Sequence, residues 1–252
     1  MIKLLIRKEA LEINPLFASF IVSVQDAKYN PSKDYNIYKP KKMWVDHVLR
    51  FVTQEECDKW NLKELEDFNK GKDYFEKSLN LKEKFCGSKT FGFEINSIEN
   101  HIEKLSESIE KLSLKLNQQF LFLLDYSTPW LYQENDFEPI QTAYKYLNSI
   151  GIDKEFIGGI QCSGDELKTF ISHLFWLVRC NTSLPECYFG GENTSFVMSI
   201  CKHGILHFEF YSEEEKSQII KYCKELGMTE IEKMCYDTFS DSNTIEGRQI
   251  IV

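Results

Sequence analysis

No stretch of this 252-residue chain approaches the roughly 20 consecutive apolar residues that cross a bilayer. Arg7, Lys8, Glu9 and Glu12 interrupt the N-terminus too early for a secretory apolar region. Together these absences predict a soluble, cytoplasmic protein without a membrane partner. Internal repeats and low-complexity tracts are also lacking. The two glycine pairs, Gly158-Gly159 and Gly190-Gly191, are without the lysine, hydroxyl or third-glycine context of phosphate loops. Eight cysteines are present, at 57, 86, 162, 180, 187, 201, 223 and 235, yet they show no paired short spacings. Several, such as Cys223, fall on apolar stripes, where a free thiol behaves as a small hydrophobe. Reduced structural cysteine, no metal and no cofactor are the expectation.

What the chain does have is material for a packed core, with 42% hydrophobic and 14% aromatic residues. Its net charge of −9 is unevenly placed: residues 153–252 hold 16 acidic against 9 basic side chains, whereas the preceding part is close to balanced. Such a field repels nucleic acid and speeds encounter with a basic partner.

The most legible stretch is Ser195 to Met228. In Ser195–Cys201 the apolar positions are Phe196, Met198 and Ile200, and in Ile205–Tyr211 they are Leu206, Phe208 and Phe210. Period-two alternation marks strands with one buried face. Directly paired residues share a face, so Ile200 should meet Leu206, Met198 meet Phe208 and Phe196 meet Phe210. That register needs the three-residue connection Lys202-His203-Gly204, with glycine at the left-handed last position. Ser212-x-x-Glu215 then has capping-box spacing, Ile219, Ile220, Cys223 and Leu226 make an apolar stripe, and Gly227 is placed to end the helix.

Elsewhere, apolar Phe17–Val24 reads as a strand, followed by a turn-rich loop from Tyr29 to Pro40. A capping box at Thr53-x-x-Glu56 opens a helix ending near Gly71. Residues 96–118 form the most regular helix, with Ile98, Ile102, Leu105, Ile109, Leu112 and Leu116 as an a/d seam. Phe120–Leu124 reads as a buried strand, and Pro139 sits near the start of a helix running to Ser149. A third capping box, Ser163-x-x-Glu166, opens a helix with Leu167, Phe170, Ile171, Leu174, Phe175 and Val178 inward. An irregular loop through Pro185 and Gly190-Gly191 precedes the hairpin, and a final strand is expected near Arg248–Val252. The fold class is α+β, an antiparallel sheet with packed helices. Two subdomains are one arrangement open to it: an N-terminal α+β region at 1–155 and a C-terminal region of helix, hairpin, helix and strand at 156–252, joined between Gly151 and Cys162.

Chemistry is thinly signalled. Cys201-x-His203 with His207 is the densest set of metal-ligand types, but zinc wants about four donors and no second cluster follows. A Cys–His nucleophile near Cys201, His203 and His207, or the acid-and-hydroxyl loop Asp125-Tyr126-Ser127-Thr128, would make the chain a hydrolase or transferase. Tyr29, Tyr35, Tyr38 and Trp44 interleave with lysines as in single-strand nucleic-acid binders, although the acidic balance speaks against that partner. On the outward hairpin face, Val197, Ser199, Cys201, Ile205, His207, Glu209 and Tyr211 are either covered by the helix at 164–179 or offered to a partner. Tyrosine with peripheral acids suits a protein interface, which makes His207, Glu209 and Tyr211, with Glu213 and Glu214, the candidate partner-binding set.

Three runs carry a resemblance: Leu174-Phe-Trp-Leu-Val-Arg-Cys-Asn, Ser183-Leu-Pro-Glu, and Ser199-Ile-Cys-Lys-His-Gly-Ile-Leu-His-Phe-Glu-Phe-Tyr. They resemble the small α+β immunity proteins of bacterial polymorphic-toxin systems, over roughly a quarter of the chain. The resemblance implies a non-enzymatic inhibitor that sets an acidic surface against a basic toxin domain. Residues 1–155 have no counterpart in it. A third reading is a self-associating scaffold built on the 96–118 helix, whose dimer Ile109→Lys would abolish; oligomeric state stays open.

Overall fold

Alternation in the hairpin becomes the register expected of it. Strand β8 (Phe196–Ile200) pairs antiparallel with β9 (Leu206–Phe210) through Phe196↔Phe210, Met198↔Phe208 and Ile200↔Leu206. The Cys201 N–H donates to the Ile205 carbonyl at 3.0 Å, and Gly204 closes the turn at φ +73°. Helix α8 (Glu213–Glu225) follows, capped by the Ser212 hydroxyl on the Glu215 N–H, and Gly227 at φ +79° terminates it. Only half of the capping box forms, because the Glu215 carboxylate accepts from the Ser195 N–H at 2.6 Å and so ties the helix to the start of β8.

The structure is a computed structural model that describes residues 1–33, 37–76, 79–232, 234–240 and 244–249. From the N-terminus come β1 (Ile2–Leu5), α1 (Arg7–Ile13), α2 (Pro15–Tyr29), β2 (Lys42–Val45), β3 (Val48–Phe51) and α3 (Gln54–Gly71). Then follow α4 (Leu81–Lys84), β4 (Gly87–Gly92), α5 (Ile98–Leu116), β5 (Phe120–Leu124), α6 (Glu138–Ser149) and β6 (Gly159–Cys162). Helix α7 (Asp165–Cys180) and β7 (Cys187–Gly191) lead into the hairpin, and β10 (Thr229–Glu230) comes after α8. Eight strands form one sheet in the order β1-β6-β5-β7-β8-β9-β4-β10, with every ladder antiparallel. The fold is α+β.

Strand β5 shows why a continuous apolar run is needed at the sheet's centre. Phe120, Phe122 and Leu124 point into a core shared with α5, α6, α7 and α8, while Leu121 and Leu123 point the other way, against α1 and α2. Both faces are covered there, so alternation would leave polar groups buried. Phe122 stacks on Phe189 at 4.6 Å between ring centroids and meets Phe170 of α7 edge-on at 4.8 Å.

Several expectations are corrected. Phe17–Val24 is the middle of α2, not a strand: the Asn14 side chain accepts from the Leu16 and Phe17 N–H groups, Pro15 takes the first helical position, and Phe17, Ala18, Phe20 and Ile21 make a buried helical stripe. Gly190-Gly191 lies in β7, paired with Leu121 and Phe120, not in a loop. Helix α7 begins after Gly164 without a side-chain cap, and Glu166 instead pairs with the Met1 amino group. The a/d seam of α5, by contrast, does what so short a seam more often does and packs on α7 of its own chain, with Leu105, Ile109 and Leu112 fully buried. The chain division at 155 does not divide the sheet: β6 inserts between β1 and β5, and β4 lies between β9 and β10. Residues 250–252 of the expected last strand fall outside the described residues; Gln249 makes an isolated parallel bridge to Asn181.

Among the described residues, the excursion from 30 to 72 adds no strand to the large sheet, and β2 and β3 pair with each other. Both its ends are held at one place. The Tyr29 ring packs on Tyr126 at 4.8 Å, Ser127 donates to the Gly71 carbonyl at 2.8 Å, and Asp73 is gripped by Arg7 and Gln25.

Candidate functional site

Cover on the α1–α2 face stops partway across the sheet. Val197 is buried beneath α2, but the residues beyond it on that face are polar: Ser199 and Cys201 of β8 and its turn, and His207 and Glu209 of β9. Here alternation without a second apolar set leaves an open face, and a cleft of about 710 Å³ lies over it. Helix α7 is not its roof, because α7 packs against Phe196, Met198 and Phe208 on the opposite face. Glu186, Tyr188, Cys235 and Arg248 complete the rim with the segment that follows α8.

Register brings two of the sequence's metal-ligand types together. Ser199 is paired with His207, so Cys201, two residues on, sits diagonally from His207 on the same face. Cys235 arrives from the segment after β10, with its Sγ 3.5 Å from His207 Nε2. The Cys201 and Cys235 sulfurs and a His207 ring nitrogen all lie within 4.8 Å of one another. Cys235 thus adds a third donor to Cys201 and His207, from a segment that holds no second cluster among the described residues. Cys235 carried no spacing signal, being 28 residues from His207 in a segment without periodicity. Burial lowers the pKa of His207, against the opposing charge of Glu186, so its imidazole is neutral near pH 7. Burial pushes the Cys201 thiol up to about 11, which leaves it protonated and a poor nucleophile. His203 lies in the turn, outside the three-donor group.

Beside this group lies a shallow groove of about 400 Å³, lined by Phe20, Val24, Leu81, Lys82, Phe85, Glu209 and Tyr211. Glu209 lines both depressions. Its carboxylate is half-buried and accepts from the Tyr211 hydroxyl at 3.2 Å, and no cation pairs with it among the described residues. Desolvation accordingly raises its pKa. Of the sequence-selected partner set, His207 and Glu209 line the cleft, Glu209 and Tyr211 line the groove, and Glu213 and Glu214 are exposed on the first turn of α8. Glu213 pairs with Lys216 at 3.2 Å.

Other candidates are occupied by structural work. Asp125 is fully buried, with Lys28 at 2.9 Å and the Tyr29 hydroxyl at 2.9 Å on its carboxylate, so it anchors α2 to the end of β5. Of the lysine-flanked aromatics, Tyr29 serves Asp125 and Tyr38 packs edge-on to Trp60 at 5.5 Å, while Tyr35 lies outside the described residues. Among the described residues no helix is long and apolar enough to cross a membrane. Comparison with protein-family models, curated proteins and solved structures finds no match to the chain.

Proposed function

We propose that this chain is a non-enzymatic, cytoplasmic binding protein of immunity type, which neutralises a basic protein partner such as a toxin domain. The observation that carries the reading is Glu209, a half-buried carboxylate with a tyrosine donor and no paired cation among the described residues. A lysine or arginine of the partner would lay its aliphatic stem along Phe20, Val24 and Leu81 and bring its charge to Glu209. Exposed Glu213 and Glu214 on α8, and the negative balance of residues 153–252, would steer the approach. The protonated Cys201 thiol disfavours the alternative of a Cys-dependent hydrolase or transferase.

The test is association with the product of the neighbouring gene, measured across salt. Raising ionic strength from about 0.1 M to 1 M shrinks the Debye length from about 10 Å to about 3 Å, so the association rate should fall steeply. Glu209→Gln should weaken the complex by about 2–5 kcal/mol, because it leaves the partner's cation buried without a counter-charge. Absence of association, or association indifferent both to salt and to Glu209→Gln, would refute the reading.

A further inference from the structure

Three donor atoms, two of them soft sulfurs, converge from three places in the chain, whereas five of the six other cysteines are buried filling and Cys86 stands alone on the Lys84 carbonyl. Cys57, Cys162, Cys180, Cys187 and Cys223 are buried, and their surroundings are core side chains and backbone. Cys201, Cys235 and His207 are half-buried instead, on the wall of the cleft over β8 and β9.

We propose that Cys201, Cys235 and His207 bind a zinc-type transition-metal ion, with the fourth tetrahedral position left to a water in the cleft. Zinc–sulfur bonds near 2.3 Å and zinc–nitrogen bonds near 2.0–2.1 Å place the donors of a tetrahedron roughly 3.5–3.8 Å apart. His207 and Cys235 stand at 3.5 Å already, and no pair in the group exceeds 4.8 Å, so closure asks for about an ångström of side-chain movement. Thiolate and imidazole select zinc or cobalt over magnesium or calcium, which want oxygen. Binding forms two metal–sulfur bonds and one metal–nitrogen bond, and the two thiol protons leave to water.

The rigidity of the frame supports the site. Cys201, just past β8, is held by its N–H on the Ile205 carbonyl, His207 lies inside β9 between β8 and β4, and the segment carrying Cys235 is pinned two residues later by the Asp237–Arg179 ion pair at 2.8 Å, with both side chains buried. This site stands apart from the partner reading, which rests on Glu209 and not on the cysteines.

The test titrates the full-length, fully reduced protein with cobalt(II) and then with zinc(II). One equivalent of cobalt should produce thiolate-to-metal charge-transfer absorption and the intense visible bands of a tetrahedral ion, and zinc should bleach both. Cys201→Ala, Cys235→Ala and His207→Ala should each weaken zinc binding by at least about tenfold, whereas Cys86→Ala should leave it unchanged. Zinc should also shield Cys235 of the unmutated protein from alkylation, read by peptide mass, which covers the case of a variant that fails to fold. Wild-type protein that folds yet gives no thiolate–cobalt band overturns the site, as does a band that survives Cys235→Ala in a folded variant. A Cys201–Cys235 disulfide in unreduced protein, together with no metal affinity after reduction, overturns it too.

Discussion

Gly204 is fixed by two independent constraints. Its φ of +73° lies in the left-handed region, and a Cβ there would stand 2.5 Å from His101 Nε2 and 2.7 Å from Phe175 Cε2. Gly204→Ala should therefore cost at least about 1–3 kcal/mol from backbone strain alone, visible as a lower urea midpoint with an unchanged slope. The same turn predicts a pH effect. His101 is buried, with its Nε2 2.9 Å from the Gly204 carbonyl, and burial lowers its pKa below the ordinary 6.5, with Arg179 adding to the shift. Because the folded pKa is the lower one, the unfolded chain takes the proton first. Stability supplied by His101 is complete above about 6.5 and is lost as pH falls below it. The difference in unfolding free energy between wild type and His101→Gln should thus shrink as pH is lowered from about 8 to about 5; a constant difference would remove His101 as the cause. Gly204 was legible in the sequence because turn length and register demanded it. Its second role was not, since nothing in residue spacing reveals that a histidine some hundred positions earlier packs on the turn. Cys235 was illegible for the same reason: convergence of distant donors is a property of tertiary approach.

Among the elements, α5 shows how a heptad-like seam can belong to a single chain. Ile109 is fully buried between α7 and the sheet, so Ile109→Ala should cost about 2–5 kcal/mol, and Ile109→Lys should unfold the protein in place of dissociating a dimer. Light scattering alongside circular dichroism separates the two outcomes. Long periodic helices were readable: α3, α5, α6 and α8 sit where caps and stripes put them. The failure at α2 is instructive, because an eight-residue apolar run fits a strand or a buried helix, and the deciding signal was outside it, in Asn14-Pro15. Short strands were harder. β4 and β6 carry glycine at their starts and gave no strand signal, and β7 carries it at its end, where Gly190-Gly191 resembled a loop until its neighbours supplied the ladder.

At the scale of the molecule, sheet order ties the two parts of the sequence together. Strand β6 fills the gap between β1 and β5, and β4 is held between β9 and β10. Residues 1–155 and 156–252 expressed separately should therefore lack cooperative unfolding transitions; a sharp transition in either fragment would show that it folds alone. Unequal cover of the sheet is what creates the cleft: α1 and α2 extend across β5 and reach Val197, and beyond them the strands carry polar residues outward. Binary patterning announced that difference, since β5 is apolar throughout and β9 alternates. Which polar residues would gather there depended on strand order, which local pattern does not encode.

The excursion from 30 to 72 leaves and re-enters the body beside Tyr126, and none of its described residues joins the large sheet. Its two ends form a port. Evolution or an engineer can lengthen, trim or exchange what is plugged in there without re-threading a single strand, so this is where the chain has room to acquire a new recognition module while its cleft stays as it is.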